Sequence, residues 1–261
     1  MHYLKILKAL IVINTAYALE YKAHFVAQVF ASLAWGVFSV VNMILLTYRV
    51  HSAFGWSRNE LILLSVMVNV VYGIHRMLFD VNFWRFSRII HYGEMDMVLL
   101  KPVDSQFQMS MWIIDISGIF RFLVALALTF ILVFAMHFPI SLTSVLIATI
   151  LSLAGVVLLY AFTYIFLTLT IWFSNLSNLM GLVNNILSMS RYPKEMYEGL
   201  GTYFFFFLLP LIVIISTPTK ALIQKGNLLD SLLLVLFTIL FFAISRVFWK
   251  FALRFYVSAS G

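Results

Sequence analysis

The chain has 261 residues, of which 63% are hydrophobic and only 10% charged, with a mean hydropathy of +1.02. A soluble domain carries about 25% charged residues, so this chain has too little polar surface to coat a globule and must reside in a membrane. The 17 Lys and Arg exceed the 10 Asp and Glu, but they are scattered between apolar runs, which indicates loops that contact anionic lipid and no nucleic-acid partner. With 0 Cys, the chain has no disulfide and no cysteine nucleophile.

The segment before the first span, residues 1–22, is predicted to be a helix. Lys5 and Lys8 interrupt its apolar residues, and Tyr3 and Tyr17 suit the level of the lipid headgroups. These features favour a helix that lies in the interface over an additional span. We therefore divide the chain into an N-terminal interfacial helix, residues 1–22, and a single membrane domain, residues 23–261.

Six runs in the membrane domain are long and apolar enough to cross about 30 Å of hydrocarbon. They cover residues 23–47, 61–79, 107–136, 142–173, 202–217 and 228–251. The fifth contains Pro210 and ends before Pro218, so we expect it to be kinked or discontinuous. The predicted fold class is an all-α integral membrane protein with six transmembrane helices.

The basic residues near the ends of the spans predict the orientation. With the N-terminus inside, twelve of them are cytoplasmic, Lys194 included, and four lie outside. Those four are Arg49, Arg58, Lys220 and Lys225. Both termini are therefore expected in the cytoplasm.

The longest polar loop, residues 82–107, joins the second and third spans on the cytoplasmic side. Gly93 ends an extension of the second span, Pro102 ends a short helix that follows, and Asp104 or Ser105 caps the third span. The short helix consists of Glu94, Met95, Asp96, Met97, Val98, Leu99 and Leu100. Its acidic start and its apolar face indicate docking into a groove of another protein, and a simple connector is the alternative.

Two charges, Asp115 and Arg121, fall inside the third span, and each is a site candidate because buried charges are costly. Six residues separate them, so we expect each to pair with another helix, or Asp115 to lie near the cytoplasmic interface. His75, Arg76 and Asp80 close the second span, where an end-cap role outweighs a proton relay.

A second cytoplasmic loop, residues 174–199, is polar but almost uncharged in its first part. Its candidate residues are the amides Asn175, Asn178, Asn184 and Asn185, followed by Arg191 and Tyr192. They either line a water-filled path or form hydrogen bonds between helices.

Motifs of enzymes are absent from the sequence: it contains no GxxxxGK[ST] phosphate loop, no HExxH and no GxSxG, and its 6 His are dispersed. We therefore expect no catalytic, metal-binding or cofactor-binding residues and no ATP hydrolysis by this chain itself.

The order of these elements resembles the permease subunits of type 2 ATP-binding-cassette exporters. The resemblance rests on the interfacial helix, the six spans, LLKPVDSQF in the loop between the second and third spans, the triplet Arg191, Tyr192 and Pro193, and the terminal FWKFALRFYVSASG. It is greatest to compact permeases that work with a separately encoded ATPase.

This resemblance implies a bacterial cytoplasmic (inner) membrane protein that forms a homodimer or a heterodimer with a dissimilar permease, above two ATPase subunits that bind the ATP. Residues 94–100 would be the coupling helix and residues 3–19 the elbow helix. The path would carry an amphipathic or lipid-like substrate. An ion-coupled secondary transporter or channel that uses Asp115 and Arg121 is the alternative.

Overall fold

The computed structural model describes residues 2–49, 51–173, 178–200 and 202–257, and these are almost entirely helical. The α-helices are α1 (His2–Glu20), α2 (Lys22–Leu46), α3 (Arg58–His75), α4 (Val81–His91), α5 (Met95–Leu99), α6 (Ser105–Met111), α7 (Ile116–Ala135), α8 (Leu142–Thr168), α9 (Leu179–Leu187), α10 (Thr202–Leu222) and α11 (Leu228–Ala252). A π-helical segment, Arg76–Asp80, joins α3 to α4, and 3-10 segments cover Leu169–Ile171, Ser188–Arg191, Lys194–Leu200 and Leu253–Phe255. A hairpin pairs β1 (Ser52–Ala53) with β2 (Trp56–Ser57).

Several of these helices can cross a membrane. Five are long and apolar enough within the described residues: Lys22–Leu46, Arg58–His91, Ile116–Ala135, Leu142–Ile171 and Leu228–Phe255. The described apolar part of α10, Leu209–Leu222, is shorter. The all-α, multi-pass membrane architecture is thus confirmed, and the count of six spans stays a prediction.

The core of the bundle is formed by α3, α8 and α10. Leu63, Leu64 and Val71 on α3 are fully buried, and α10 approaches α8 closely at Gly155, where an added Cβ would lie 2.9 Å from the carbonyl oxygen of Ile214. In contrast, α2 and α11 expose large apolar side chains along most of their length. This distribution suits an inner group of helices surrounded by lipid-facing ones.

One end of the bundle, called here the hairpin end, carries the β-hairpin, the start of α3 and the turn between α10 and α11. Ser57 caps α3 and exchanges hydrogen bonds with Glu60 in a capping box. Lys225, in the turn after α10, forms an ion pair with Glu60. The opposite end, called the α5 end, carries α5 and the loop that leads to α6.

The prediction that the third span is a single helix over residues 107–136 is wrong. The helix is interrupted between Met111 and Ile116, because the side chain of Asn82 replaces the helical partners of Ile113. Its Nδ2 donates to the Ile113 carbonyl at 2.7 Å, and its Oδ1 accepts from the Ile113 amide at 2.9 Å. The Asp115 amide donates to the carbonyl of Met77 in the π-helical segment at 2.9 Å. The break in the third span is thus stabilised by contact with the π-helical segment that follows α3.

Two other predictions of helix ends have different outcomes. The expected discontinuity at Pro210 is not found, since α10 is continuous and runs through Pro218 to Leu222. Gly93 does end α4 as expected: the helix stops at His91, and Gly93 has a φ of +71°, in the left-handed region that glycine adopts at helix ends.

The prediction that Lys194 and Lys220 lie on opposite sides of the membrane is also wrong. The Nζ of Lys194 lies 2.6 Å from Oδ1 of Asp230 in the first turn of α11, at the hairpin end. The neighbouring Glu195 accepts hydrogen bonds from Lys220 and, at 2.7 Å, from Trp56 Nε1. Lys194 therefore lies at the same end of the bundle as Lys220. The carboxylates of Asp230 and Glu195 at this end need cationic partners, and a count of basic residues does not include this requirement.

Burial alone would raise the pKa of Glu195, but the hydrogen bonds from Lys220 and Trp56 hold it below its usual range. Glu195 is therefore an ionised partner of Lys220 at neutral pH. This pair fastens the 3-10 segment Lys194–Leu200 to the last turns of α10.

Candidate functional site

The short helix α5 has one face in the bundle and one outside it. Met95 is fully buried and Val98 is 8% exposed, whereas Met97 is 72% exposed, Leu100 84% and Leu99 43%. The helix forms where residues 94–100 predict it, although regular α geometry covers only Met95–Leu99. Glu94 precedes the first turn without bonding to it through its side chain.

Asp96 on α5 lies close to Tyr256, which follows the last turn of α11. Burial, and then the Asp96 carboxylate, raise the pKa of Tyr256 above its usual range. Tyr256, just after α11, thus packs against α5. The helix α5 therefore contacts this residue through Asp96 and the bundle through the buried Met95.

Asp104 connects the loop after α5 to two helices at once. One carboxylate oxygen accepts the Phe107 amide at 2.9 Å, which makes Asp104 the cap of α6, one of the two residues expected there. The guanidinium of Arg246 on α11 donates to both oxygens, each at 2.8 Å. Arg246, and then the Phe107 amide, hold the pKa of Asp104 below its usual range against the opposing effect of burial.

Further hydrogen bonds extend this contact from α6 into α8 and α11. Gln106 accepts from Arg246 at 3.0 Å and donates to the Tyr160 hydroxyl at 2.9 Å, and Trp249 Nε1 donates to the Ser105 hydroxyl at 3.0 Å. We call Asp104, Ser105, Gln106, Tyr160, Arg246 and Trp249 the α6–α11 bridge. It joins the start of α6 to both α8 and α11.

Arg121 binds α3 from α7. Its Nε and Nη2 donate to Oδ1 of Asn69 at 3.0 and 2.7 Å, and Nδ2 of Asn69 donates to the Ser39 hydroxyl on α2 at 2.8 Å. Arg121 thus finds its partner on another helix, as expected. The contact joins α2, α3 and α7 within the apolar part of the bundle.

Asp115 lies at the start of α7 and not inside a helix. Its side chain caps α7 by accepting the Ser117 amide at 2.9 Å, and it pairs with Arg76 Nε at 3.2 Å. Nearby, Nδ1 of His75, the last residue of α3, lies 2.8 Å from Oδ1 of Asp80 in the π-helical segment. The structure therefore gives Asp115 a partner on another element, and its two roles hold the break in the third span.

The π-helical segment and α7 cross at very short distance. A Cβ on Gly118 would lie 2.7 Å from the Met77 amide nitrogen, and one on Gly73 would lie 2.9 Å from the Phe122 nitrogen. Only glycine leaves room for the two backbones here.

The candidate residues of the second polar loop are distributed along one segment. Asn184 is half-buried and Asn185 exposed on α9. The Arg191 guanidinium lies 5.0 Å from the ring centre of Tyr72 on α3, and Tyr192 is 39% exposed. Asn175 is outside the described residues.

A comparison with protein families gives a match that covers most of the chain. The model described as "ABC-2 family transporter protein" matches residues 33–260. The chain belongs to the ABC-2 transporter family. No curated protein and no solved structure matches it. Membership makes this ABC-2 protein a membrane permease, and membrane subunits of the family generally work with an ABC ATPase.

Sequence reasoning missed the residues that hold this ABC-2 bundle together. These residues are Asn69, Asn82, Gln106 and Arg246, and no motif or spacing in the sequence singles them out. Each is a polar side chain next to or within an apolar run, where its hydrogen-bonding groups need a partner in the protein. The need of these side chains for a hydrogen-bond partner is a signal in the sequence, but it does not identify the partner.

Proposed function

We propose that this chain is the membrane-spanning permease subunit of an ATP-driven exporter and that α5 docks on a separate ATPase subunit. The observation that carries the proposal is the outer face of α5. Met97 and Leu100 project from the α5 end, while Met95 holds the helix in the bundle. The ATP is bound by the partner, two copies of which act beneath a permease dimer.

The position of α5 favours a protein partner over lipid for its exposed residues. The helical stretch Arg58–His91 contains 34 residues, so it is roughly 50 Å long. The hydrocarbon core is about 30 Å thick, so α5, which follows this stretch, lies well beyond it if Arg58 is near the other surface. Apolar residues in that position are best covered by a groove on another protein.

The α6–α11 bridge supports a coupling role because it continues from α5 into the spans. A displacement of α5 pulls on the loop that ends at Asp104, and the bonds of Asp104 and Gln106 carry the pull to Arg246 on α11 and Tyr160 on α8. A contiguous network of this kind transmits movement when its bonds are short and its members are packed.

The remaining parts follow from this arrangement. The α5 end and both termini are cytoplasmic in a bacterial cytoplasmic membrane, and α1 is the elbow helix, whose Asn14 side chain contacts the Trp112 carbonyl at the break before α7 at 3.4 Å. The path forms against a second permease copy, identical or dissimilar. We infer an amphipathic or lipid-like substrate from the apolar, aromatic-rich composition of the chain.

The alternative of an ion-coupled carrier needs Asp115 and Arg121 in the transport reaction. Asp115 caps α7 and pairs with Arg76, and Arg121 binds Asn69. These contacts favour roles in packing. Asn184, Asn185, Arg191 and Tyr192 are the better candidates for a polar path, since three of the four are exposed.

The test is co-expression with a candidate ABC ATPase, preferably one encoded by a neighbouring reading frame, followed by co-purification and measurement of ATP turnover. We expect Leu99→Asp or Leu100→Asp to remove both the association and the turnover, because a charge on the outer face of α5 opposes docking. The matched control is Leu142→Asp at the hairpin end, where Leu142 is 77% exposed, and it should leave association intact. Unchanged assembly and turnover in both α5 variants would contradict the proposal, and transport driven by an ion gradient without any ATPase would support the alternative.

A further inference from the structure

A cavity of about 310 Å³ lies between α4, α5 and α6, and its lining includes Met97 of the outer face of α5. At about 30 Å³ per water molecule it has room for roughly ten waters, which is enough for a small charged headgroup. Its wall contains apolar residues of α4 and α5 together with polar ones from all sides. Nothing in the proposed coupling role of α5 requires such a cavity.

The charged residues that line the cavity have both signs. Arg85 comes from α4, Glu94 from the start of α5 and Lys101 from the loop after it. The Lys101 ammonium lies 4.0 Å from the ring centre of Trp112, which also lines the cavity. Two cations and one carboxylate around one space fit a ligand that carries an anionic group and a cationic group of its own.

A buried amide points to the same kind of ligand. Gln108 on α6 lines the cavity and is 5% exposed, and its Oε1 has no hydrogen-bond partner within the part of the chain that the structure describes. A buried acceptor without a partner costs free energy, so such atoms normally have a donor. A donor group on a ligand in this cavity would satisfy Gln108, and Glu94 lines the same cavity.

One side of the cavity, at Trp112 and the first residues of α4, lies nearer to the membrane than α5 does. Helix α4, the last part of the apolar stretch Arg58–His91, lines the cavity from one side. Trp112, which precedes the apolar helix Ile116–Ala135, lines it from the other. Trp is enriched at the boundary between hydrocarbon and headgroups. A lipid in the adjacent leaflet can therefore place its headgroup here while its chains stay in the bilayer.

We propose that this cavity binds the headgroup of a zwitterionic aminophospholipid, with the phosphate between Arg85 and Lys101 and the ammonium between Glu94 and the Oε1 of Gln108. The ammonium of an ethanolamine headgroup has three N–H donors for these acceptors. A choline headgroup has the same charge but no N–H, and a glycerol headgroup has no cation. The site therefore distinguishes ethanolamine lipids from both, and it goes beyond the proposed function because it needs no ATPase.

The experiment is native mass spectrometry of the full chain, purified in detergent and freed of lipid. The chain is incubated with phosphatidylethanolamine, phosphatidylcholine or phosphatidylglycerol with identical acyl chains. We expect about tenfold tighter retention of the ethanolamine lipid, since one hydrogen bond with a charged partner is at stake. Gln108→Leu and Glu94→Gln should lower this retention to the choline level without changing choline-lipid binding, whereas Arg85→Gln should weaken all three lipids.

Arg88→Gln is the matched control, since Arg88 is on the same helix as Arg85 but is exposed outside the cavity. Equal retention of the three lipids, or an equal loss in Arg88→Gln and Arg85→Gln, would overturn the proposal. Soluble glycerophosphoethanolamine serves as a competitor, and displacement at the concentration of the lipid would overturn the membrane source. Variants that leave lipid retention unchanged but abolish ATPase association would assign the cavity to a protein side chain and would also overturn it.

Discussion

Arg246 on α11 donates one hydrogen bond to each carboxylate oxygen of Asp104, and both bonds are 2.8 Å long. The planar guanidinium fixes the direction of the carboxylate as well as its distance. Since the same carboxylate caps α6 through the Phe107 amide, a single side chain determines where α6 begins and how it lies against α11. The fork thus joins the end of the loop after α5 directly to α11.

We predict that Asp104→Asn and Arg246→Lys each lower the free energy of unfolding by about 1–3 kcal/mol. Asn keeps a cap for α6 but loses the charge, and Lys keeps the charge but loses the fork. The measurement is the unfolding midpoint of the purified chain in detergent. Arg88→Lys, at an exposed position on α4, is the control and should change it by less than about 0.5 kcal/mol.

The stabilisation by Asp104 is expected to depend on pH. Its pKa in the folded chain is held below its usual range by Arg246, so the folded state favours the ionised carboxylate. The contribution is therefore complete above the ordinary Asp value of about 4 and is lost as the pH falls through that value toward the folded one. The gap in unfolding midpoint between the native chain and Asp104→Asn should shrink between pH 7 and pH 3. A gap that stays constant over this interval would show that the ion pair contributes nothing.

A third prediction concerns the crossing of α7 and the π-helical segment. Gly118→Ala places a Cβ 2.7 Å from the Met77 nitrogen, so the two backbones must separate. Overpacking of this kind costs about 1–3 kcal/mol, and the Asp115 amide then loses contact with the Met77 carbonyl. Gly199→Ala is the matched control, since a Cβ there has no atom within 4 Å. Equal midpoints for the two variants would contradict the close crossing.

Local signals predicted the parts of the fold that depend on neighbouring residues. Gly93 ends a helix through its left-handed backbone, and Asp104 begins one through its side-chain hydrogen bond. The short helix after Gly93 is predictable because similar local signals, Gly93 and Pro102, bound it. The apolar runs likewise predicted most helix positions, because length and hydropathy decide whether a segment crosses a membrane.

The contacts between distant residues were not predictable from the sequence in this way. Hydropathy favours one helix through residues 107–136, and only the approach of Asn82 to Ile113 makes the break stable. The side of Lys194 depends on Asp230, which is 36 residues away. Asn69 was the missing partner of Arg121 because nothing in the spacing relates positions on two different spans.

The last prediction separates packing from transport for Arg121. Asn69→Leu removes the acceptor of two guanidinium hydrogen bonds and leaves the charge in an apolar part of the bundle. We expect a loss of about 2–4 kcal/mol in the free energy of unfolding, since a buried charge without its partner is strongly destabilising. The double variant Asn69→Leu with Arg121→Leu should recover most of this loss, because hydrophobic residues of similar volume replace a buried polar pair at little cost. If Arg121 serves only in packing, the recovered double variant also transports at the native rate, as measured with the assembled permease and ATPase in vesicles. A double variant that is stable but does not transport would place Arg121 in the path.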